Sequence, residues 1–307
     1  MQYRTLGRTG LRVSEVGCGG APIGISNYNE VWDPHGDAET RSVIEAFRHA
    51  VDVGYNYFDT APGYGEGRSE ELIGLALEGL RSRVAIATKT AWRGRTKEQI
   101  FQSVEGSLRR LRTDYLDVIQ FHGGTGDPYM PDDFCWIMEG GPMDAFQQLK
   151  QDGKIRFVGI TCEEPVSLRP FLDTGLFDVV QIKYNVIYQG AWHNALRWAQ
   201  EANVGVVAMR PLTSGIFQKL MRAAWPAIDQ HVDLNELALN FVLSDPRVST
   251  AIVGARRVSE IDANNALSDA VQKRFDLDWL QERRVAPPDG AASQGPATAV
   301  GRLAPIG

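Results

Sequence analysis

Residues 84–122 read VAIATKTAWRGRTKEQIFQSVEGSLRRLRTDYLDVIQFH. Short, largely apolar runs open and close this stretch, at Val84–Thr88 and Tyr115–Phe121, and an amphipathic pattern at Thr96–Leu111 lies between them. The apolar runs do not alternate strictly with polar residues, which is typical of strands buried on both faces. The stretch therefore predicts a strand, a helix and a second strand in succession.

The same alternation continues along the rest of the chain. Strands are predicted at Val16–Gly19, Tyr57–Asp59, Val84–Thr88, Tyr115–Phe121, Phe157–Thr161, Val179–Lys183, Val204–Met209 and Thr250–Val253. Helices are predicted at Ala38–Val53, Ser69–Leu80, Thr96–Leu111, Pro142–Gln151, Val166–Leu172, Trp192–Ala202, Asn235–Ser244 and Val258–Asn264. Eight strands that are each followed by a helix fit the α/β class, as a (β/α)8 TIM barrel.

A doubly wound sheet is the competing architecture. It usually carries a GxGxxG motif between its first strand and the following helix. The only glycine cluster near a first strand here is Gly17–Gly20, and no helical pattern starts there, since Ile23–Gly36 reads as loop. The rhythm therefore favours the barrel.

The two ends of the chain differ from this alternation. Tyr3–Leu6 and Leu11–Val13 flank Gly-Arg-Thr-Gly, which predicts a β-hairpin that would plug the bottom of the barrel. Residues 286–307 are rich in Pro, Gly and Ala, and we interpret them as a flexible tail. Residues 1–285 are then expected to form a single domain.

The composition excludes several classes of protein. The 307 residues carry a formal charge of −6, which argues against a nucleic-acid binder. No apolar run approaches the length of a membrane-spanning helix, and the polar N-terminus has no apolar stretch for a secretion signal. Cys18, Cys135 and Cys162 are too few and too widely spaced for a disulfide framework or a metal knuckle. We therefore expect a cytoplasmic protein without a metal, and the oligomeric state stays open.

Three long stretches follow predicted strands, at 21–37, 122–141 and 212–233. In a barrel they would lie on the catalytic face. Their aromatic side chains are either ordinary packing or the wall of a pocket for a partly apolar ligand. The predicted pocket residues from these stretches are Tyr28, Trp32, Tyr129 and Trp136.

Four polar residues come at or just after the ends of consecutive strands: Asp59, Tyr64, Lys89 and His122. A lysine ammonium stabilises a phenolate and lowers the pKa of the phenol, while an aspartate keeps that lysine charged. A histidine can hydrogen-bond a substrate oxygen. The set suits an oxygen that gains negative charge, as in carbonyl reduction. Each residue alone would more simply be structural: a buried ion pair, a core tyrosine or a satisfied histidine.

The sequence resembles the aldo-keto reductase superfamily on four motifs. They are DTAPGYGEGRSEELIG at 59–74, Lys89 after its strand, DYLDVIQFH at 114–122 and GKIRFVGI at 153–160. The resemblance runs from about residue 3 to residue 265 and implies a (β/α)8 barrel with NADPH or NADH as hydride donor. It also implies that Tyr64 is the proton donor, that Asp59 and Lys89 tune it, and that His122 orients the substrate carbonyl. The substrate pocket then includes Tyr64 and His122.

The resemblance also implies where the nicotinamide lies. An amide such as that of Gln181 can pair with a carboxamide, and the matching glutamine of the family does so. On the residue alone, a hydrogen bond to a loop backbone is the simpler interpretation. Thr161 and Cys162 stand where the family usually has Ser-Asn, and Cys162 is alternatively an inert buried thiol. At the first strand, Gly20 and its small neighbours predict a roomy site, and Gly123 and Gly124 after His122 again suggest space or a mobile loop.

Phosphate contacts are predicted at the last two strands. Arg210 could stack on nicotinamide, bind a pyrophosphate oxygen or simply pair with a loop carboxylate. Backbone N–H groups of the following loop are free to meet phosphate oxygens. That loop contributes the predicted cofactor contacts Pro211, Leu212, Ser214 and Gly215.

Arg256 is the first choice for the 2′-phosphate of NADP, after Gly254, which allows close approach of the backbone. The alternative is that Arg256 and Arg257 form a solvated basic turn. Asn264 matches the adenine-binding asparagine of the family. Glu260 stands where a Gln or Arg commonly contacts adenine, and a carboxylate there would repel a 2′-phosphate. NADPH or NADP+ is therefore favoured, and NADH or NAD+ remains possible.

The sequence thus predicts an enzyme that acts on a small-molecule carbonyl or sugar substrate. Two alternatives stay open. One is an NAD(P)+-dependent sugar (aldose) dehydrogenase that works in the oxidative direction. The other is a cofactor-binding regulatory subunit, as in family relatives that associate with ion channels.

Overall fold

A closed barrel of eight parallel strands forms the centre of the molecule in the computed structural model, which describes residues 1–123 and 128–282. The order around the barrel follows the chain, and the last strand pairs with both the first and the seventh. The barrel strands are β3 Val16–Gly19, β4 Tyr57–Asp59, β5 Ala85–Thr90, β6 Leu116–Phe121, β7 Ile155–Cys162, β8 Val179–Lys183, β9 Gly205–Met209 and β10 Thr250–Gly254. The predicted (β/α)8 fold is confirmed, and all eight strands lie within a few residues of their predicted bounds.

Helices surround the barrel. They are α1 Ala21–Gly24, α2 Asp37–Asp52, α3 Arg68–Ala76, α4 Lys97–Leu111, α5 Pro131–Glu139, α6 Pro142–Gln151, α7 Arg169–Asp173, α8 Ala195–Glu201, α9 Ile216–Ala224, α10 Leu234–Leu243, α11 Val258–Asp269 and α12 Leu277–Glu282.

The strands lack alternation because both of their faces are covered. Every residue of β5 and β6 is buried, one face against the surrounding helices and the other inside the barrel. Helix α4 buries Ile100, Val104 and Leu108 on one stripe, and a capping box between Thr96 and Gln99 fixes its start. These local signals explain why the elements of residues 84–122 match the sequence pattern.

An N-terminal hairpin closes the bottom of the barrel, as predicted. Its strands are β1 Tyr3–Thr5 and β2 Arg12–Ser14, which pair antiparallel. Leu6 and Val13 are fully buried against inward-facing strand residues such as Tyr57 and Val118. Gly7 has a φ of +49°, and a Cβ there would lie 2.2 Å from the Gly205 backbone nitrogen. A larger residue would therefore push the plug away from β9.

Five segments differ from the prediction. The stretches 122–141 and 212–233, predicted as loops, contain α5 and α9, and the short helix α1 lies where loop was expected. The predicted helix Val166–Leu172 is a 3-10 turn at Pro165–Leu168 followed by α7. The predicted helix Trp192–Ala202 is interrupted at Asn194, whose φ of −129° and ψ of −95° are not helical.

Three expectations concern the limits of the chain and its ligands. The predicted tail at 286–307 lies outside the described residues, and the single domain at 1–285 stays a prediction. Within residues 1–123 and 128–282, no helix combines the length and apolar character needed to cross a membrane. The same residues contain no His, Cys, Asp and Glu group suited to hold a metal ion.

Candidate active site

A cavity of about 670 Å³ opens at the carboxyl ends of the barrel strands. Its size is within the range usual for cofactor and ligand pockets. All four predicted catalytic residues line it, and so do ten of the predicted cofactor residues. Those ten are Gly20, Asp59, Thr161, Gln181, Arg210, Pro211, Leu212, Ser214, Gly215 and Gly254.

The buried ion pair between Lys89 and Asp59 lies at the floor of this cavity. Lys89 Nζ donates to Asp59 Oδ1 at 2.6 Å and to the Thr60 carbonyl at 2.8 Å, and both charged side chains are 1% exposed. Burial raises the pKa of Asp59 despite the opposing effect of the lysine. Burial also acts to lower the pKa of Lys89, but Asp59 and Tyr64 outweigh it and raise that pKa. The ammonium is therefore held charged in a nearly dry site.

Tyr64 stands beside this pair. The Lys89 ammonium lies 5.1 Å from the centroid of the Tyr64 ring, and a hydrogen bond from Lys89 acts to lower the pKa of the phenol. Burial has the larger effect, and it raises the pKa of Tyr64 above its ordinary value. The lysine thus acts in the direction that the sequence predicts, and burial opposes it. Tyr64 is a neutral phenol at physiological pH.

His122 completes the group at the end of β6. Its ring packs edge-on against Tyr64, with centroids 5.9 Å apart and an angle of 82° between the planes. Burial, aided by the charge of Lys89, lowers the pKa of His122 to about 3. The imidazole is therefore neutral at physiological pH and can offer one N–H and one lone pair.

An amide pair extends the network across the barrel floor. Gln120 Nε2 donates to Gln181 Oε1 at 3.0 Å and to Asp59 Oδ2 at 3.3 Å. Gln181 Nε2 lies 3.4 Å from Asp59 Oδ1, and Gln120 Oε1 is buried without a partner among the described atoms. Sequence reasoning missed Gln120, although a lone amide in the apolar run 116–121 was the available signal.

The glycines beside the site have a packing role. A Cβ on Gly20 would lie 2.4 Å from Ser69 Oγ, and one on Gly123 would lie 2.2 Å from the Thr161 carbonyl oxygen. A Cβ on Gly254 would lie 2.3 Å from the Pro22 side chain. Glycine is therefore needed at these positions because neighbouring chain segments come into contact there. This packing role adds to any space that the glycines leave in the site. Gly124 lies outside the described residues.

Arg210 is paired with a carboxylate. Its guanidinium contacts Glu163 Oε1 at 2.6 Å, and Lys183 Nζ lies 3.3 Å from the other oxygen of Glu163. Glu163 and Arg210 both line the cavity. The alternative of an arginine bound to a loop carboxylate therefore describes this structure, with the guanidinium still 36% exposed toward the cavity.

The Arg256 guanidinium does not lie where it could bind a phosphate in the cavity. The residue is 4% exposed and does not line the cavity. Its guanidinium donates to the carbonyl oxygens of Pro22 and Tyr28, pairs with Glu30 at 2.7 Å and stacks over Trp32 at 4.5 Å. Its hydrogen-bonding capacity is used by the loop at 22–32, so its assignment to the 2′-phosphate is corrected.

Three other predicted cofactor residues also lie off the cavity wall: Cys162, Glu260 and Asn264. The Glu260 carboxylate accepts the backbone N–H of Arg256 at 2.6 Å and caps α11. The Cys162 thiol is buried and contacts the Glu164 carbonyl at 3.1 Å, because β7 directs it away from the barrel interior. It matches the alternative of an inert thiol, and burial raises its pKa.

The predicted aromatic pocket is only partly present. Tyr28, Tyr64 and His122 line the cavity, but Trp32, Tyr129 and Trp136 do not. Trp32 donates its indole N–H to the Ile23 carbonyl at 3.1 Å, and Tyr129 donates its hydroxyl to the Thr161 carbonyl at 3.0 Å. Trp136 bonds the Trp92 carbonyl at 3.2 Å. Each instead hydrogen-bonds a backbone carbonyl of another segment, so the assignment of these three to the pocket is wrong.

Several lining residues were missed because they belong to α9, where a loop was predicted. Gln218, Lys219 and Arg222 line the cavity. Arg222 is held by Asp229 at 2.6 Å, whereas Lys219 forms no ion pair with a described residue. The available signal was the spacing of the two cations, since residues three apart share one face of a helix.

The family model for the aldo/keto reductase family matches residues 17–276. The chain belongs to the aldo/keto reductase family. The predicted NAD(P)-dependent oxidoreductase is thereby confirmed at the level of the family, together with its barrel.

Similar proteins agree with this membership across nearly the whole chain. L-galactose dehydrogenase of Arabidopsis thaliana is 30% identical over 92% of this aldo/keto reductase and 93% of its own length. Aldo-keto reductase AKR11C1 from Bacillus halodurans, in its holo form, is 28% identical with a TM-score of 0.74, covering 94% and 97%. An aldo/keto reductase from Klebsiella pneumoniae, solved with NADP and acetate, is 25% identical with a TM-score of 0.73, covering 95% and 98%.

Proposed function

We propose that this protein interconverts a carbonyl group and an alcohol, with Tyr64 as the general acid and base. The observation that supports this most directly is the meeting of Tyr64, Lys89, Asp59 and His122 at one wall of a cavity large enough for a cofactor and a substrate. Three strand ends and one loop bring them together, from positions up to 63 residues apart in the chain (122 − 59).

The residues of the cavity suit a nicotinamide dinucleotide. The Gln181 amide and the Thr161 hydroxyl line the cavity and offer donors and an acceptor to a carboxamide. Residues 213–215 have positive φ values, a loop form whose N–H groups can cluster around an anion. When bound, a nicotinamide cofactor supplies or accepts the hydride.

The chain's own residues then manage the proton. In reduction, the neutral Tyr64 hydroxyl gives its proton to the carbonyl oxygen as that oxygen gains charge. The Lys89 ammonium stabilises the phenolate that remains, and Asp59 keeps Lys89 charged and in place. Neutral His122 donates an N–H to the same carbonyl oxygen and orients it. The phenolate finally recovers its proton from solvent.

The reductive direction fits the protonation state of Tyr64 best. Burial raises the pKa of the phenol, so it carries a proton at neutral pH and is ready to donate it. In the oxidative direction Tyr64 would instead accept the proton of the alcohol as a phenolate. The similarity to L-galactose dehydrogenase keeps sugar oxidation as the second candidate.

NADPH is the favoured cofactor, but through different residues than Arg256. The cations that line the cavity on α9 are Lys219 and Arg222, and we propose that they meet the phosphates. The Klebsiella pneumoniae relative was solved with NADP. NADH use remains the alternative, because Glu30 and Glu260 place carboxylates around Arg256 and Arg257.

The free cysteines support a reducing compartment, which we propose is the cytoplasm. Cys18 and Cys162 are buried and Cys135 is exposed, and no disulfide joins them.

The test replaces the phenol alone. Tyr64→Phe should abolish NADPH-dependent reduction of a panel of aldehydes while the affinity for NADPH, measured by fluorescence quenching, stays nearly unchanged. Tyr188→Phe, on a half-exposed tyrosine outside the cavity, is the matched control and should keep full activity. Substantial turnover by Tyr64→Phe would remove Tyr64 from the proposed role. Faster oxidation of sugars with NADP+ than reduction of any aldehyde would favour the second candidate.

A further inference from the structure

A second cleft, of about 520 Å³, borders the active site along α4. It shares Gly63 and His122 with the catalytic cavity, so the two spaces meet beside the residue that we expect to hold the substrate carbonyl. Its other lining side chains are mostly polar or charged, and they include Arg95, Arg109 and Arg110. Of the four proposed catalytic residues, His122 alone lines it.

One cation of the cleft is fixed in place. Arg110 Nε donates to Glu70 Oε2 at 2.7 Å, and the fully buried Glu70 accepts a second bond from Thr88 Oγ1 at 2.6 Å. Arg110 Nη1 forms no hydrogen bond to a described residue. Gly106 leaves it room, since a Cβ at that position would lie 3.2 Å from Nη1. The guanidinium is therefore positioned by the core with one nitrogen still available.

The other two cations lack ion-pair partners among the described residues. Arg95 and Arg109 are exposed and form no side-chain hydrogen bond or ion pair within residues 1–123 and 128–282. Their neighbours Arg68 and Arg112 are paired, with Glu71 at 3.2 Å and Glu78 at 3.0 Å. In a chain with a net charge of −6, one cleft beside the active site thus carries uncompensated positive charge. Such a cleft attracts an anionic ligand.

We propose that this cleft is a subsite for a negatively charged group carried by the substrate at the end away from its carbonyl. The proposal rests on the proposed carbonyl chemistry and adds the class of substrate. With the carbonyl oxygen on Tyr64 and His122, the remainder of the substrate extends past Gly63 toward Arg109 and Arg95. Guanidinium groups bind carboxylate and phosphate oxygens in the same way, so both kinds of anion fit.

The experiment compares aldehydes that differ only in charge. Succinic semialdehyde and butanal form the carboxylate pair, and glyceraldehyde 3-phosphate and glyceraldehyde form the phosphate pair. The double variant Arg95→Ala/Arg109→Ala should raise KM for the charged member of at least one pair by about ten-fold, as two exposed ion contacts predict, and leave kcat nearly unchanged. The pair that responds tells carboxylate from phosphate. Arg110 is left intact because its loss would strand the buried Glu70.

Controls separate a local contact from general effects. Arg197→Ala removes an exposed arginine from α8, far from the cleft, and should change neither pair. KM for the neutral aldehydes should be the same in all variants. Higher ionic strength should raise KM for the charged aldehyde in the unmodified protein and have less effect on the double variant.

A binding measurement keeps the subsite and the proposed chemistry distinguishable. Succinate and inorganic phosphate are titrated into the protein by calorimetry. If the unmodified protein binds either anion and the double variant does not, the anion subsite is supported even when no aldehyde is reduced. In that case the proposed carbonyl chemistry fails and the subsite stands. Equal KM values for the charged aldehydes in the unmodified and double-variant proteins would overturn the subsite. So would anion binding that the double variant retains in full.

Discussion

The positions of side chains at the strand ends of this barrel were predicted from the sequence more accurately than those of side chains in its loops. Asp59 and Lys89 lie at the ends of β4 and β5, His122 directly follows β6, and all three reach the cavity. Trp32 and Arg256 lie beyond strand ends, in stretches chosen for their aromatic or basic content, and both turn toward protein. A strand end fixes the direction of a side chain because the barrel closes around it, whereas a loop side chain goes wherever it finds a partner.

The largest effect is expected at the strand ends. Lys89→Met leaves the carboxylate of Asp59 buried without its partner, which should cost about 3–5 kcal/mol of unfolding free energy as well as activity. Urea unfolding measures the loss. The double variant Asp59→Asn/Lys89→Met should recover most of the stability and none of the turnover. If the double variant is as unstable as Lys89→Met alone, the uncompensated charge is not the cause.

The fold could be predicted because its signals are local and repeated. Strands buried on both faces produce apolar runs without alternation, and helices such as α4 carry both an apolar stripe and a cap. Prediction failed for α5 and α9, which follow strands within long connections. Nothing in the alternation of strand and helix requires these extra helices, so their turns were mistaken for loop.

In the candidate site too, residues in or near strands were predicted, whereas residues in loops and in unpredicted helices were missed or misassigned. Asp59, Lys89, His122 and Gln181 were found because each lies in a barrel strand or directly after one, and Tyr64 was found in the loop that follows β4. Lys219 and Arg222 were missed together with their helix, and Glu163 was missed because its partner Arg210 is 47 residues away in the chain (210 − 163). Arg256 was misassigned because nothing in its own segment shows that carbonyl oxygens of residues 22 and 28 will reach it. Partners distant in sequence decide the orientation of such side chains.

The second largest effect is expected at Arg256, which represents the loop residues in this comparison. Arg256→Met removes the hydrogen bonds that hold the loop at 22–32 and should cost about 2–3 kcal/mol, as buried bonds to a charged group do. The ratio of NADPH to NADH affinity should stay nearly constant, because Arg256 does not reach the cavity. Thermal unfolding and fluorescence titration measure the two quantities. Arg257→Met, on the half-exposed neighbour, is the control for stability. A selective loss of NADPH affinity in Arg256→Met would restore the 2′-phosphate assignment.

His122 should make stability depend on pH. Its pKa is about 3 in the folded protein, against roughly 6.5 in the unfolded chain. Below pH 6.5 the unfolded chain therefore binds a proton that the folded protein refuses, so stability falls as the pH falls through that window. At pH 5 the expected loss is about 2 kcal/mol relative to pH 7.

The His122→Gln variant isolates this contribution. Its unfolding free energy, from urea curves at several pH values, should fall less steeply between pH 6.5 and 5 than that of the unmodified protein. His231→Gln removes an exposed histidine and should leave the slope unchanged. Parallel curves for all three proteins would mean that His122 takes up its proton as easily in the folded state as in the unfolded chain.

The smallest effect separates a loop aromatic that packs from one that binds. Tyr129→Phe removes the hydroxyl that donates to the Thr161 carbonyl, and the loss of one buried hydrogen bond should cost about 1 kcal/mol. KM for an aldehyde should not change, because the ring stacks on Trp92 and the hydroxyl points at β7, away from the cavity. Tyr28→Phe makes the same chemical change on a tyrosine that does line the cavity. That variant should alter KM with little effect on the melting temperature. If the two variants exchanged these effects, the division between packing and lining aromatics would be reversed.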